Sequence, residues 1–208
     1  MEIPRILYSS PFMGNYFCEI AHYNMAFVAI AKNAVTYLKN LAIYAKTGTV
    51  VSDKEEIHEV VGYSSMNGYL YPVKQLDGEW GNGIMKFAVW RDPVERLVSC
   101  YKHFCLEKAN RFYFRYLALF EDNSFDRFME FVRFELGKSN PVYQDEHIRR
   151  QSDYYCPEDV DYIVPIHKLN QFLEEHGVPV LKKSANETSV KFQLTDWNYI
   201  EEIRELYK

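Results

Sequence analysis

Glycine, cysteine, excess basic charge and long apolar runs are all scarce in this 208-residue chain, and each scarcity removes a class of protein. Nine glycines and eight prolines are too few for a collagen-like or low-complexity chain. The four cysteines, Cys18, Cys100, Cys105 and Cys156, include no CxxC pair, so neither a zinc site nor a thioredoxin-like redox motif is supported, and no metal is expected. Scattered at that density, they read as reduced, partly buried thiols of a cytoplasmic protein. The longest apolar run, Met25 to Ala31, falls far short of the ~20 residues that span a bilayer. The amino-terminal segment carries no signal-peptide pattern, which points to a soluble cytoplasmic chain without a membrane span. Lys and Arg number 24 against 29 Asp and Glu, a net charge of −5. A nucleic-acid partner is not expected of such a chain, because displacing phosphate counterions takes a basic patch. A small anionic ligand needs only local positive charge.

What is present describes an ordinary folded domain: 48% hydrophobic and 25% charged residues, in a length that suits one domain over residues 1–208. Aromatic residues, at 16%, are the one excess. Such side chains fill a core or line a concave ligand site, and composition does not separate the two.

A strand–loop–helix pattern recurs along the chain. Residues 26–31 (AFVAIA) form a continuous apolar run, the pattern of a strand buried on both faces, and a helix follows from about Tyr37 to Lys46 with Leu38, Leu41, Ala42 and Ala45 at helical spacing. Residues 84–90 (IMKFAVW) predict a second strand. After it, Asp92 is a natural N-cap, Pro93 suits the first helical position and Glu95 the third, with Leu97, Val98, Tyr101 and Cys105 on one face of the helix that follows. Residues 160–166 (VDYIVPI) predict a third strand, followed by a helix near Leu169–His176 that stops at Gly177. Alternating strands and helices imply βαβ units, hence an α/β fold with a central parallel sheet flanked by helices. Residues 47–83 read as loop-rich and 106–140 as helical. In the latter, Ser124 caps an apolar stripe of Phe125, Phe128, Phe131, Val132 and Leu136. A last helix begins near Thr195.

In an open parallel sheet, ligands bind beyond the carboxyl ends of the strands. Two groups of residues fall there. Lys32, Asn33 and Thr36 follow the first strand, where a turn opening into a helix offers backbone N–H groups and the positive end of the helix dipole to a phosphate or sulfate. The turn has no glycine and does not fit the Walker pattern GxxxxGK[ST]. Arg91 follows the second strand and can offer a bidentate fork to a phosphate, with Ser99 returning to nearly the same side two turns into the helix. Asp92 is itself an anion at that helix end, so a phosphate there rests on side chains. Arg91 paired with a neighbouring carboxylate is the structural alternative.

The stretch Arg91 to Tyr101, RDPVERLVSCY, resembles the 3′-phosphate-binding motif of the sulfotransferases, in particular the carbohydrate sulfotransferase branch. Ala31-Lys32-Asn33-Ala34-Val35-Thr36 stands where that family has its 5′-phosphosulfate loop, usually P-K-x-G-[ST]-[ST], and departs from it in lacking the proline and glycine. Asp145-Glu146-His147-Ile148-Arg149-Arg150-Gln151, followed by Asp161-Tyr162-Ile163, resembles the D-x-H-x-x-x-Q and D-Y-[IF] stretches of the same branch, and Ser124 to Phe128 has a family look. The blocks run in family order from about residue 27 to 176.

The resemblance implies a P-loop-like, sulfotransferase-type core. It also implies transfer of a sulfuryl group from 3′-phosphoadenosine 5′-phosphosulfate (PAPS) to an acceptor hydroxyl, that of a carbohydrate above all, without a metal. Lys32 would then neutralise the leaving oxygen, Asn33 and Thr36 would lie along the 5′-phosphate, and Arg91 and Ser99 would hold the 3′-phosphate. A general base is needed for the acceptor. His58 is the first candidate, with Glu55 and Glu56 behind it and His147 as the rival. Asn186-Glu187-Thr188 resembles a late N-x-[ST] of the branch that approaches the nucleotide. Two other readings stay open: a P-loop-related small-molecule kinase, against which the missing GK[ST] pair speaks, and a catalytically silent nucleotide-binding or interaction module on the same scaffold.

Overall fold

A computed structural model describes residues 6–8, 16–53, 57, 83–107, 122–181 and 190–208. They fall into two compact units, one formed by residues 1–90 and 154–186 and the other by residues 91–153 and 187–208.

The first unit is built on a five-stranded sheet in the order β1-β2-β3-β4-β5. Its strands are β1 (Ile6–Tyr8), β2 (Tyr16–Ile20), β3 (Met25–Val28), β4 (Met85–Trp90) and β5 (Tyr162–Pro165). The three strands expected from apolar runs are the parallel part: Phe27 is in register with Phe87, and Val89 with Val164. The sheet as a whole is mixed, because β1 and β2 add to it antiparallel, with Cys18 facing Phe27 in the neighbouring strand. These two strands were not expected from the sequence.

Side-chain alternation divides the sheet into two faces. Cys18, Ile20, Met25, Phe27, Phe87, Val89 and Val164 pack in one core with Leu38, Leu41 and Ala42 of α1 (Val35–Thr47) and Leu169 and Leu173 of α4 (Leu169–Glu175). Phe17, Ala26, Val28 and Ala88 pack in a second core with Ile30 and Tyr154. Burial pushes the Cys18 thiol up to about 12, with Lys39 opposing the shift and Glu19 adding to it. The start of β5 is pinned by Asp161, whose carboxylate accepts the Lys86 N–H at 2.7 Å while its own N–H donates to the Lys86 carbonyl at 2.8 Å. The D-Y-[IF] stretch thus sets the register of β5 on β4.

The second unit is helical: α2 (Pro93–Tyr101, continued as a π-helical turn over Lys102–Leu106), α3 (Phe125–Leu136) and α5 (Trp197–Leu206). The apolar stripes read from the sequence meet here, with Leu97, Cys100, Tyr101, Phe128, Val132, Leu136 and Ile203 in one core. The Tyr101 ring lies 5.1 Å from Phe125 and 4.8 Å from Phe192 between centroids, and its hydroxyl donates to the Asn123 carbonyl at 2.6 Å. Ser124 caps α3 as expected, accepting the Arg127 N–H, and Asp196, a cap not singled out in the sequence, accepts the Asn198 N–H. All four cysteines are free thiols, three of them buried.

Candidate active site

In the first unit, the turn of residues 31–34 joins β3 to α1 at the carboxyl end of a parallel strand. Its backbone is unusual: Lys32 and Ala34 both lie in the left-handed region, at φ 67° and 60°. L-residues other than Asn and Asp visit that region at a cost, because Cβ crowds the carbonyl oxygen. Ala34 is also the N-cap of α1, and it supplies no side-chain cap. No acidic residue stands in the first turn of α1. The amino end of a 13-residue helix therefore keeps its positive field. Lys32 is partly exposed beside this end, and Thr36, the second residue of the helix, is buried. This is the electrostatics of an anion site.

Asn33 sits in the same turn, 1% exposed, and its amide Nδ2 donates to the Val89 carbonyl at 2.6 Å. Its side chain thus ties the turn to β4. At the far end of α1, Asn40 grips Val51 in a two-point bond, accepting the Val51 N–H at 2.9 Å and donating to the Val51 carbonyl at 2.7 Å.

In the second unit, Arg91 precedes the N-cap Asp92, whose Oδ1 accepts the N–H groups of Val94 at 2.9 Å and Glu95 at 3.1 Å. This helix end, unlike that of α1, is already neutralised by its own carboxylate, the N-cap expected from the sequence. The Arg91 side chain is 24% exposed, with Nε 3.7 Å from the Glu95 carboxylate. Burial pulls the guanidinium below its ordinary range, and the Glu95 and Asp92 carboxylates hold it up. A cation so poorly hydrated gains more from an anionic ligand than one in open water. Ser99 lies on α2, half-buried, two turns along.

The segment around Gln151 supports this region. The Gln151 amide accepts the Arg91 N–H at 2.9 Å and donates to the Arg91 carbonyl at 2.8 Å. Arg96, fully buried, donates to the carbonyls of Arg149 at 2.8 Å and Glu146 at 3.2 Å. The R-D-P-x-x-R and D-x-H-x-x-x-Q stretches are therefore two halves of one hydrogen-bonded structure. His147 is 8% exposed, its Nδ1 3.0 Å from Asp145 and its ring 4.7 Å from that of Phe104. The structure shows it in packing and hydrogen-bonding contacts with its own unit. His58, Glu55, Glu56 and the 186–188 stretch lie outside the described residues.

Sequence reading singled out the cations and missed the groups that hold them. Gln151 and Arg96 appeared only as letters of a family pattern. Arg96 carries one readable signal, since it stands at helical spacing from the buried Cys100 and so points toward the core. Among the described residues, no His, Cys, Asp and Glu group could hold a metal ion, and no helix is long and apolar enough to cross a membrane.

A mixed sheet with helices packed on it defines an α/β protein. The family model described as "Sulfotransferase family" matches residues 16–205, and the chain belongs to that family, whose members transfer sulfuryl groups. No curated protein and no solved structure matches the chain.

Proposed function

We propose that this chain is a PAPS-dependent sulfotransferase of the carbohydrate branch, acting in the cytoplasm as one sulfotransferase domain on a sugar hydroxyl. The observation that carries the reading is the amino end of α1, left without a cap or an acid and flanked by Lys32 and Thr36. It supplies a 5′-phosphosulfate with backbone N–H groups, a hydroxyl and a full positive charge. Arg91 and Ser99 take the 3′-phosphate, the group that separates PAPS from other adenine nucleotides.

In the reaction, the sulfur–oxygen bond to the 5′-phosphate breaks as the acceptor oxygen bonds to sulfur, and adenosine 3′,5′-bisphosphate leaves. Negative charge grows on the bridging oxygen, where Lys32 neutralises it. The acceptor hydroxyl loses its proton to a base, for which His58 is the assignment, since His147 is buried and packed against Phe104. The donor set needs no metal, because the charge is met by Lys32, Arg91 and helix N–H groups.

Thermal melting tests the reading. A ligand that binds only the native state raises the melting temperature by mass action. Adenosine 3′,5′-bisphosphate should raise it well above the shift given by AMP or ATP at the same concentration. Equal shifts from all three would favour a kinase and overturn the proposal. A large shift without labelled-sulfate transfer onto any of a panel of glycans would point to the silent nucleotide-binding module.

A further inference from the structure

We propose that Gln151 is the positioning residue for Arg91, setting the direction of its guanidinium without touching the ligand. The inference rests on the reading above, in which Arg91 holds the 3′-phosphate.

Arg91 stands between β4 and α2 and belongs to neither. The Gln151 amide grips its backbone there. It accepts the Arg91 N–H and donates to the Arg91 carbonyl, at 2.9 and 2.8 Å. Those two groups belong to the peptide planes on either side of the Arg91 Cα. Holding both planes fixes φ and ψ together, and with them the direction of the Cα–Cβ bond from which the long side chain departs. A single hydrogen bond would leave one of the two torsions free.

Gln151 is itself held. It is 7% exposed and follows a segment that the buried Arg96 grips through the carbonyls of Glu146 and Arg149. The turn within that segment is closed by the N–H groups of Ile148 and Arg149 on the Asp145 carbonyl, at 3.0 and 2.8 Å, and by the His147 N–H on the Asp145 carboxylate at 2.8 Å. The Asp145 N–H in turn donates to Glu135 of α3 at 2.6 Å. The rigidity of α3 thus reaches Arg91 through covalent and hydrogen-bonded steps that end at one side-chain amide. A guanidinium meets phosphate through a planar fork, so its direction decides affinity as much as its charge does.

The test compares calorimetric Kd values for adenosine 3′,5′-bisphosphate and AMP, which share the 5′ end and differ at the 3′-phosphate. Gln151→Met keeps the length and loses both hydrogen bonds. Binding of the bisphosphate should weaken on the order of 10-fold, with AMP unchanged. Equal weakening of both ligands would mean a general structural role and would overturn the inference, as would no weakening of either. Arg91→Ala is measured alongside. A selective loss in Arg91→Ala without one in Gln151→Met sinks the positioning role alone. No selective loss in Arg91→Ala sinks the phosphate assignment, and the positioning role falls with it.

Gln151→Glu covers the case in which the methionine variant does not fold. Its ionised carboxylate keeps an acceptor for the Arg91 N–H and loses the donor to the Arg91 carbonyl, whereas the protonated carboxyl has both. The ratio of its bisphosphate Kd to that of wild type, taken at each pH, should fall toward one as the pH drops through the ordinary carboxyl range, from about pH 6 to about pH 3.5. A ratio that does not move with pH would refute the clamp.

Discussion

Lys32 and Ala34 hold left-handed backbone on either side of Asn33, so the turn that opens α1 reaches its shape without a glycine. Asn33 stabilises that shape from within, through its bond to the Val89 carbonyl. The related loops resembled by this one place glycine at the position of Ala34. The shape is therefore kept by strain at two residues, and the surrounding contacts offset the cost.

Replacing Ala34 by glycine removes that strain at one position. An alanine at positive φ costs roughly 1–2 kcal/mol, and glycine gives back a part of the gain through the entropy of the unfolded chain. Ala34→Gly should stabilise the protein by about 1 kcal/mol, read as a higher urea midpoint with an unchanged m-value. A lower midpoint would show that the Ala34 methyl group contributes more in packing than its backbone loses in strain.

Arg96 carries a different kind of energy. Its guanidinium is fully buried and donates to the carbonyls of Glu146 and Arg149. Arg96→Met keeps the packing of the stem but leaves both acceptors without this donor. A loss of roughly 2–4 kcal/mol in chemical denaturation is expected. Arg96→Lys should recover less than half of it, because one ammonium cannot reproduce the planar fork. A loss below about 1 kcal/mol would mean that the 145–151 segment is held by its own turns and not by Arg96.

The contrast between these groups and the strands explains what was readable in the sequence. β3, β4 and β5 announce themselves as continuous apolar runs, since parallel strands are buried on both faces. β1 and β2 do not: β1 has three residues, and β2 has a charged residue, Glu19, among its five. The hairpin from β2 to β3 has none of the glycine signals of a tight turn, its left-handed positions being His22 and Asn24. Charge after a strand marked Lys32 and Arg91 as candidate site residues. Gln151 and Asp161 are ordinary residues whose roles depend on partners 60 and 75 positions away. Periodicity and local spacing carry no information about such pairings, so the candidate cations were legible and the scaffold around them was not.

Lys32 is the sharpest test of the chemistry itself. In the proposed reaction its charge matters most when the bridging oxygen becomes negative, and less while the nucleotide is merely bound. An interaction made mainly in the transition state lowers kcat when removed, with little change in ligand affinity. Lys32→Ala should therefore slow sulfuryl transfer by about 10²–10³-fold, the effect of losing one oxyanion-stabilising donor. The Kd of adenosine 3′,5′-bisphosphate should change by only a few-fold. Transfer of labelled sulfate from PAPS to a glycan acceptor, or slow transfer to water, measures the rate, and calorimetry measures the affinity. The left-handed backbone at Lys32 adds a control, because Lys32→Gly removes the same amine while relaxing the turn. Both variants should be equally slow. If the glycine variant keeps its rate while the alanine variant loses it, turn geometry and not the ammonium is what the reaction requires.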